Sequence, residues 1–494
     1  MIKTVRFIIC LVLVIAASKT YSQKNTTTNE IGLDSTLTIA QMISDLDTLY
    51  KVVLRTHQNP FFFCTESEFE RAYQTTRREC QEPMDLIKFT AKVAGFLGTL
   101  QDSHTYLQYK SILGKHAKSD GKYYGFVVKA IGSDIFIASD AAGLLSAGSK
   151  LVSINGIRAT VLFNEVNKLS VQEGNSLTGR RRISEILFSR FGGIFSEIAD
   201  SNKVEFIPFG QDSLLHVWYP GKTAKEWRKE IGKSTNGNLV KMTFNDTVDI
   251  AVLRIPSFAA GKDRKYYKGL RKSFKELSKR DTQHLAIDLR GNTGGKSERM
   301  EQLFAYLTED TICTPANIIV HQSELSRKRF DNDLNSVQYW LMRHAPKKSE
   351  DLLNYITMMD LELGQNDTVY YTQGEHIKSK RVYKNNSYLL MDGSSGSASA
   401  NFAGTFQIHE LGEIWGEPCL GPPGGTWGNP AGFTLPKSGI GVYISTIRFN
   451  NSNLMLTDSN PVRPNHRIEI NPKSLADETD IVLEKLIESI SKSK

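Results

Sequence analysis

The chain has 494 residues, of which 40% are hydrophobic, and a formal net charge of +8. This length is enough for two or three domains with ample cores. The charge is mild for such a length, and no dense basic block is interleaved with aromatic residues, so nucleic acid is not indicated as a partner. Beyond the N-terminal segment, no stretch approaches the ~20 apolar residues that a membrane-spanning helix requires.

The N-terminal segment has the pattern of a secretory signal peptide. A short basic start precedes an apolar run from Phe7 to Ala17, and small residues follow up to Ser22. We therefore predict a signal peptide over residues 1–22, which would direct the protein to the periplasm or the extracellular space. The polar residues 23–36 lack apolar periodicity and are expected to form a flexible leader.

Four cysteines remain after this segment, at positions Cys64, Cys80, Cys313 and Cys419. Their wide spacing matches no metal-binding or Cys-x-x-Cys pattern, so we predict neither a metal nor a cofactor site from them. Buried thiols or one incidental disulfide are expected instead. Cys64 and Cys80 are the only pair close in sequence, and the sequence leaves open whether they are joined.

The first part of the mature chain has helical periodicity. Apolar residues recur at three- and four-residue steps from Ile39 to Val53 and again between Met84 and Leu100, which predicts a helical domain over residues 37–110. Ser103 and His104 stand at its end. A single histidine after a helix is typically a surface or capping residue, but its reference pKa of about 6.5 also suits a general base.

Residues 121–170 change to short strands joined by glycine turns, which predicts a β-rich unit over residues 111–175. The segment around Gly125 and Phe126 has two interpretations. It is either a strand edge that takes up an extended peptide by β-augmentation, so that these two residues bind substrate, or part of an ordinary hairpin.

The second half of the chain, residues 176–494, has an α/β pattern. A buried-looking strand ending at Arg290 is followed by the turn Gly291–Gly295 and a helix; such a turn exposes N–H groups that suit a phosphate or an oxyanion. The spacings of a phosphate loop and of a dinucleotide turn are both absent. We interpret the polar residues 311–385 as an insertion, and the basic cluster Arg180–Arg182 as a solvated helix start.

A second strand-turn-helix unit runs from Tyr388 to Leu411 and places Ser397 at the start of the helix. A side-chain oxygen at this position lies among unpaired N–H groups and at the positive end of the helix dipole, which stabilise developing negative charge. A serine that only caps the helix is the alternative. The two other segments that carry a base and a glycine turn favour a nucleophile.

Three motifs occur in a characteristic order, namely Asp102–Thr105 (Asp-Ser-His-Thr), Asp288–Gly295 (Asp-Leu-Arg-Gly-Asn-Thr-Gly-Gly) and Gly396–Ala403 followed by Gly416-Glu-Pro418. This arrangement resembles the tail-specific protease, or C-terminal processing peptidase, family of serine peptidases, which includes the tricorn core protease. The resemblance implies an α/β core of the crotonase-like type, a PDZ-like role for the β-rich unit, and a peptide or protein substrate.

The resemblance is to the Ser-His-Ser-Glu branch of the family. The lysine of the Ser-Lys branch has no counterpart between Gly416 and Pro436. The resemblance therefore implies Ser397 as the nucleophile, His104 as the general base, Ser103 as the hydroxyl that orients it, and Asp458 as the carboxylate behind them. It also implies an oxyanion hole, for which we expect the N–H groups of Ala398, Gly294 and Gly295.

Two departures from the family pattern bear on activity. Ala400 stands where relatives commonly carry a glutamate, and Asp458 is one methylene shorter than the expected glutamate. The main hypothesis is an exported serine endopeptidase that forms an acyl-enzyme at Ser397. The alternative is a weakened or inactive relative that binds a peptide or a lipid. A third interpretation is an acyl-CoA enzyme of the wider crotonase fold, but no feature of the sequence indicates a nucleotide-binding site.

Overall fold

A computed structural model describes residues 32–196, 198–231, 239–310, 312, 314–333, 361–370, 381–451 and 459–492. The helices are α1 (Ile39–Thr56), α2 (Glu66–Arg78), α3 (Leu86–Gly98), α4 (Tyr109–Lys118), α5 (Ala159–Lys168), α6 (Leu177–Phe195), α7 (Ala224–Glu230), α8 (Asp263–Arg280), α9 (Ser297–Phe304), α10 (Glu324–Asp333), α11 (Ala398–Ile408), α12 (Pro472–Ala476) and α13 (Ile481–Lys492). Among the described residues, none of these helices has the length and apolar character needed to cross a membrane.

The strands are β1 (Thr36–Leu37), β2 (Met84–Asp85), β3 (Tyr106–Leu107), β4 (Phe126–Ile131), β5 (Asp134–Asp140), β6 (Lys150–Ile154), β7 (Ile157–Arg158), β8 (Ser201–Ile207), β9 (Leu215–Pro220), β10 (Lys241–Asn245), β11 (Ile250–Arg254), β12 (His284–Asp288), β13 (Asn317–His321), β14 (Asn366–Tyr370), β15 (Asn386–Met391), β16 (Glu413–Gly416), β17 (Gly425–Gly428), β18 (Ala431–Thr434), β19 (Gly441–Ile444), β20 (Ile447–Asn450) and β21 (His466–Arg467). The predicted signal peptide and Cys313 lie outside the described residues, whereas Cys64, Cys80 and Cys419 are free thiols.

Helices α1 to α4 occupy the part of the chain where the sequence predicts a helical domain. Each of the first two helices begins with a capping box, in which a threonine side chain accepts from the third helical N–H and the side chain there accepts in return. In α1 the buried residues include Met42, Leu46, Leu49 and Val53, which form one stripe along the helix.

A β-rich unit, residues 126–220, follows the helices. Its antiparallel sheet has the order β4-β5-β6-β8-β9, with β7 paired to β6. The sheet extends beyond the predicted boundary at residue 175, because β8 returns after helix α6 to pair with β6 and β9 then pairs with β8. The sequence pattern alone did not indicate that strands on both sides of α6 share a sheet.

The edge of this sheet at β4 is covered by α6. The Ala130 N–H donates to Glu185 Oε1 at 2.8 Å, and Phe126 is fully buried. Gly125 is also buried, and a Cβ added to it would lie 2.8 Å from the Tyr219 hydroxyl. The prediction that Gly125 and Phe126 bind an extended peptide is therefore wrong for this structure, because a helix already occupies the edge.

The central sheet has the order β10-β11-β12-β15-β16-β21 and is parallel except for the first pair. Successive residues point to opposite faces: Leu285 and Ile287 join the cluster that includes α8, α9 and α11, whereas Ala286 and Leu390 face α13. Because both faces are covered, these strands have nearly continuous apolar sequences. The carboxyl ends of the neighbouring strands β12 and β15 lie side by side, so the loops that follow them meet.

A second sheet, with the order β14-β13-β20-β17, lies partly in the segment that the sequence indicates as an insertion. Strands β13 and β14 fall within residues 311–385, yet β13 pairs with β20 through partners such as Ile319 and Arg448. The insertion interpretation is thus wrong for these strands, because they form a sheet with strands from the C-terminal part of the chain. A third sheet, β18-β19-β3, connects the helical region to the C-terminal half.

The basic cluster at the start of α6 joins the β-rich unit to the central sheet. Arg182 is 4% exposed and donates two hydrogen bonds to the Glu417 carboxylate, with Nε 2.8 Å from Oε2. It also contacts Glu185, the residue that accepts from the Ala130 N–H. The interpretation of this cluster as a solvated helix start is wrong for Arg182, which is a buried ion-pair centre.

We expect Arg182→Ala to lower the free energy of unfolding by about 3–5 kcal/mol, because the Glu417 and Glu185 carboxylates would stay buried without their cation. Urea denaturation measures this loss. Lys473→Ala is a suitable comparison, since it removes only an exposed pair with Asp477 and should leave the free energy of unfolding nearly unchanged. Equal effects of the two substitutions would contradict the assignment.

Candidate active site

Ser397 lies at the sharp turn between β15 and α11. Its backbone angles are φ 51° and ψ −123°, a region that residues other than glycine rarely adopt and that is often found at functional sites. Its side chain makes no capping hydrogen bond to the helix. Instead, Ser397 Oγ lies 3.1 Å from His104 Nε2. The helix-cap alternative is therefore wrong, and the turn presents this hydroxyl to a base.

The neighbouring hydroxyls of the same loop differ from Ser397 in their surroundings. Ser394 Oγ donates to Asp392 at 2.7 Å, and Ser395 Oγ donates to the Leu289 carbonyl at 2.9 Å. Ser399 is fully buried, and its hydroxyl has no hydrogen-bond partner among the described residues. Of these four serines, Ser397 is the one that contacts a histidine.

The histidine is the first member of a chain of hydrogen bonds. His104 Nδ1 lies 3.2 Å from Ser103 Oγ, and Ser103 Oγ in turn donates to Glu173 Oε2. Glu173 also accepts from the Ser103 N–H at 3.0 Å. Its second oxygen accepts from the Thr426 hydroxyl at 2.9 Å and from the Trp427 N–H at 3.1 Å. Glu173 is thus a buried carboxylate held by four donors.

The chemistry of these groups assigns the protons. An ionised carboxylate only accepts hydrogen bonds, so the single proton of the Ser103 hydroxyl points to Glu173. The Ser103 oxygen can then only accept from His104, which places a proton on Nδ1. His104 Nε2 is therefore unprotonated in the neutral ring and accepts from the Ser397 hydroxyl. This tautomer is the one that a general base needs.

A second buried pair supports the histidine segment. Asp102 Oδ1 accepts from the His104 N–H at 2.8 Å, and His57 Nε2 lies 3.0 Å from Asp102 Oδ2. Because the Asn59 N–H donates to His57 Nδ1 at 3.1 Å, the proton of this ring is on Nε2. Burial raises the pKa of Asp102, but the hydrogen bond from His57 and the electrostatic interaction with this ring outweigh it, so the pKa lies below its usual value.

The carboxylates of Glu173 and Asp102 shift the pKa of His104. Burial lowers the pKa of the ring. The hydrogen bond and negative charge of Glu173, followed by the charge of Asp102, raise the pKa by more than burial lowers it, so the net pKa lies above 6.5. The ring remains partly accessible, with 18% of its side chain exposed. The ring is therefore held by a carboxylate network on one side and accessible to solvent on the other.

This raised pKa predicts a pH profile. His104 accepts a proton only when neutral, and it is neutral above its pKa, so kcat/KM should fall as the pH decreases through a midpoint above 6.5. The measurement is kcat/KM for a peptide substrate from about pH 5 to pH 9, since this ratio reports the ionisation of the free enzyme. A midpoint below the ordinary histidine value would contradict the role of Glu173.

The sequence analysis expected Asp458 at the position of the carboxylate. Asp458 lies outside the described residues, and the carboxylate that contacts Ser103 is Glu173. Its loop is fixed by Gly174, whose N–H donates to the Gln101 carbonyl at 2.9 Å and whose φ is +52°. A Cβ there would lie 2.2 Å from the Ser459 carbonyl oxygen, so the turn requires glycine.

Ala400, where the family pattern would have a glutamate, is close to this carboxylate. A Cβ added to Gly421 would lie 3.1 Å from Ala400 Cβ and 3.8 Å from Glu173 Cγ. Ala400 is buried, and the negative charge in this part of the site comes from the β-rich side of the chain. The missing glutamate therefore does not leave the site without a carboxylate.

The oxyanion donors expected from the sequence are brought together at Ser397, but they are not equivalent. The Gly294 N–H donates to Asn292 Oδ1 at 3.0 Å and is already used. Within the described residues, the N–H groups of Ala398 and Gly295 donate to no acceptor. A Cβ on Gly294 would lie 2.6 Å from Ser397 Cβ. The candidate oxyanion hole is therefore Ala398 with Gly295, and Gly294 provides the close approach.

One group of side chains could also hold a metal ion. Asp102, His104 and Glu173 each offer a ligand atom within 4.8 Å of the others. All three already have hydrogen-bond partners within the site: His57 for Asp102, Ser397 for His104, and Ser103 for Glu173. These bonds account for the cluster as a proton-transfer network.

Comparisons with known proteins agree with this geometry. Residues 249–468 match the family model described as peptidase family S41, a region that contains Ser397 and the Gly291–Gly295 turn but not His104 or Glu173. No curated protein matches the sequence. The crystal structure of mature CPAF aligns with a TM-score of 0.62 at 12% identity, covering 92% of this chain and 98% of that chain.

Two further solved structures resemble the chain. A CPAF mutant aligns with a TM-score of 0.65 at 12% identity, covering 92% of this chain and 97% of that chain. The photosystem II D1 C-terminal processing protease aligns with a TM-score of 0.41 at 14% identity, covering 87% and 94%. The CPAF likeness shows a shared fold over nearly the whole chain. Together with the matched S41 region it confirms the predicted resemblance: the chain is a serine-type peptidase whose residues 249–468 match peptidase family S41.

Proposed function

We propose that the protein is a serine endopeptidase that hydrolyses peptide bonds through an acyl-enzyme at Ser397, with His104 as the general base. The observation that carries this proposal is the continuous hydrogen-bond chain from Ser397 through His104 and Ser103 to Glu173. Each member has the protonation state that the next one requires. A serine that only caps a helix needs no such hydrogen-bond chain, whereas a nucleophilic serine is activated by an adjacent base that a third group orients.

In the acylation step, His104 Nε2 removes the proton of Ser397 while Oγ attacks the scissile carbonyl carbon. The carbonyl oxygen becomes an oxyanion, for which the free N–H groups of Ala398 and Gly295 are available. The protonated His104 then gives its proton to the leaving amine as the carbon–nitrogen bond breaks. In deacylation, water takes the place of Ser397: His104 accepts its proton, and the ester bond to Oγ breaks to release the acid.

Ser103 and Glu173 act on His104 rather than on the substrate. As His104 becomes an imidazolium, its Nδ1–H strengthens its bond to the Ser103 oxygen, which is polarised by the Glu173 carboxylate. The 3.8 Å separation of His104 Nδ1 from Glu173 Oε2 also allows direct charge stabilisation in a buried site, where such interactions are strong. The pair thus orients the ring and stabilises its positive charge.

Labelling with a fluorophosphonate probe tests this proposal, because the probe forms a covalent bond only with an activated serine. We expect the wild-type protein to be labelled and Ser397→Ala to be unlabelled. Ser399→Ala is the matched control: its hydroxyl lies two residues away and has no partner, so labelling should persist. Labelling of Ser397→Ala at the wild-type rate would sink the proposal. No labelling of any protein, together with tight peptide or lipid binding, would favour the non-catalytic alternative.

We also propose that the peptidase is exported and acts on peptide or protein substrates outside the cytoplasm. The basic start and apolar run before Ser22 support export. Detection of the mature N-terminus near residue 23 in the periplasmic or extracellular fraction tests this, and retention of the full-length chain in the cytoplasm would contradict it.

A further inference from the structure

A buried arginine without an anionic partner lies behind the candidate active site. Arg448 belongs to β20, is 2% exposed and stands directly opposite Trp427 of β17. Its guanidinium carbon lies 3.8 Å from the centre of the Phe62 ring, 5.1 Å from that of Trp427 and 5.9 Å from that of Phe63. Three aromatic rings therefore form a cage around one guanidinium, a stable arrangement for a cation.

Three buried donors of this cage make no hydrogen bond to the described residues. Arg448 Nε and Nη1 are fully buried and, within the part of the chain that the structure describes, make no hydrogen bond. Nε1 of Trp427 is also buried, and no described residue accepts from it. Buried donors without acceptors are costly and rare, and a buried guanidinium is normally paired with a carboxylate. Three unpaired donors in one place indicate that an acceptor, most suitably an anion, is missing.

The cage is in contact with the catalytic network. The backbone N–H of Trp427 donates to Glu173. The Trp427 ring lies 4.6 Å from the ring of His57, the partner of Asp102. Burial lowers the pKa of Arg448 to about 10, partly offset by the charges of Glu173 and Asp102. The guanidinium therefore stays charged at neutral pH, and Trp427 contacts both it and the Glu173 carboxylate.

Two of the three rings of the cage are partly exposed to solvent. Phe62 and Phe63 are only half-buried and belong to the connection between α1 and α2, outside regular secondary structure. They are the outer layer over Arg448, whereas Trp427 and the sheet form the inner layer. Rotation of these two side chains would open the guanidinium to a ligand without any change in the sheets.

We propose that Arg448 binds a carboxylate of the peptide substrate, with the Trp427 indole N–H as an additional donor. This inference rests on the proposed peptidase function, since it names a substrate group for the same site. A guanidinium matches a carboxylate with two parallel hydrogen bonds, and carboxylates are the anions that peptides carry. The group is either the free C-terminal carboxylate or an aspartate or glutamate side chain.

Binding to the uncleaving variant Ser397→Ala tests the proposal separately from catalysis. Fluorescent peptides are compared as two matched pairs, one ending in a free acid or an amide and one with glutamate or glutamine scanned through the positions. We expect the acid member of one pair to bind at least about tenfold more tightly, as for a charge-assisted hydrogen bond in a buried site. The pair that discriminates identifies the source of the carboxylate.

Adding Arg448→Met to Ser397→Ala should reduce that discrimination to less than about twofold. Arg264→Met, at an exposed position, is the control and should leave it unchanged. If Arg448→Met does not fold, Arg448→Lys serves instead and should weaken discrimination partially, since lysine lacks the paired donors. Equal binding of acid and neutral peptides, or unchanged discrimination in the Arg448 variants, would overturn the inference even if the enzyme is active. Discrimination without any fluorophosphonate labelling would support the inference while rejecting the peptidase.

Discussion

His104→Ala is expected to lower kcat for peptide hydrolysis by about 10⁴-fold or more, because Ser397 would lose the group that removes its proton. The loss should be in kcat rather than in KM, since the ring acts on the reacting hydroxyl at 3.1 Å. Residual hydrolysis would come from the oxyanion donors and substrate positioning, which do not depend on the histidine.

The measurement is steady-state hydrolysis of a fluorogenic peptide on the alkaline plateau of the wild-type pH profile, where the base is neutral. His409→Ala is the matched control, because His409 lies at the exposed end of α11 and should retain wild-type kcat. If His104→Ala keeps more than about a tenth of wild-type kcat, another group serves as the base and the assignment fails.

Glu173→Gln is expected to lower kcat by about 10²- to 10³-fold. The removal of charge from the carboxylate of a serine peptidase triad costs about 10⁴-fold where it bonds the histidine directly. Here Glu173 acts mainly through Ser103, so a smaller loss is expected. Glutamine retains the shape of the side chain in a position held by the Thr426 hydroxyl and the Trp427 N–H, so folding should survive.

A pH profile distinguishes this positioning role from simple structural damage. Glu173 raises the pKa of His104, so the acid limb of kcat/KM should move to lower pH in Glu173→Gln. Asp458→Asn provides the comparison with the carboxylate that the family pattern indicates. A larger loss in Asp458→Asn, with an unchanged acid limb in Glu173→Gln, would transfer the role to Asp458.

Local sequence patterns were sufficient for much of the fold. The strand-turn-helix units ending at Gly295 and starting at Ser397 follow from continuous apolar runs, small-residue turns and helical periodicity within about 25 residues each. Because parallel strands carry their loops at the same edge, these two units also predict that the glycine turn and the serine meet. The family resemblance added His104 and Ser103.

The rest of the site depends on contacts that no local pattern encodes. Glu173 lies in a loop 70 residues from Ser103, and a glutamate followed by glycine is common in surface turns. The same limit explains Arg182, whose partner Glu417 is 235 residues away. At Gly125 and Phe126 the sequence predicted a binding site that the structure does not have. Strand β4 is at the edge of its sheet, but helix α6 of the same unit covers that edge.

The position of Glu173 has a consequence for how the enzyme becomes competent. In the proposed mechanism, the S41 region supplies the nucleophile and the oxyanion amides, the helical segment supplies the base, and the loop before α6 supplies the carboxylate. None of these three parts contains a working site. The proposed site would therefore form only when the N-terminal half has packed against the C-terminal half, and a partly folded chain would lack it.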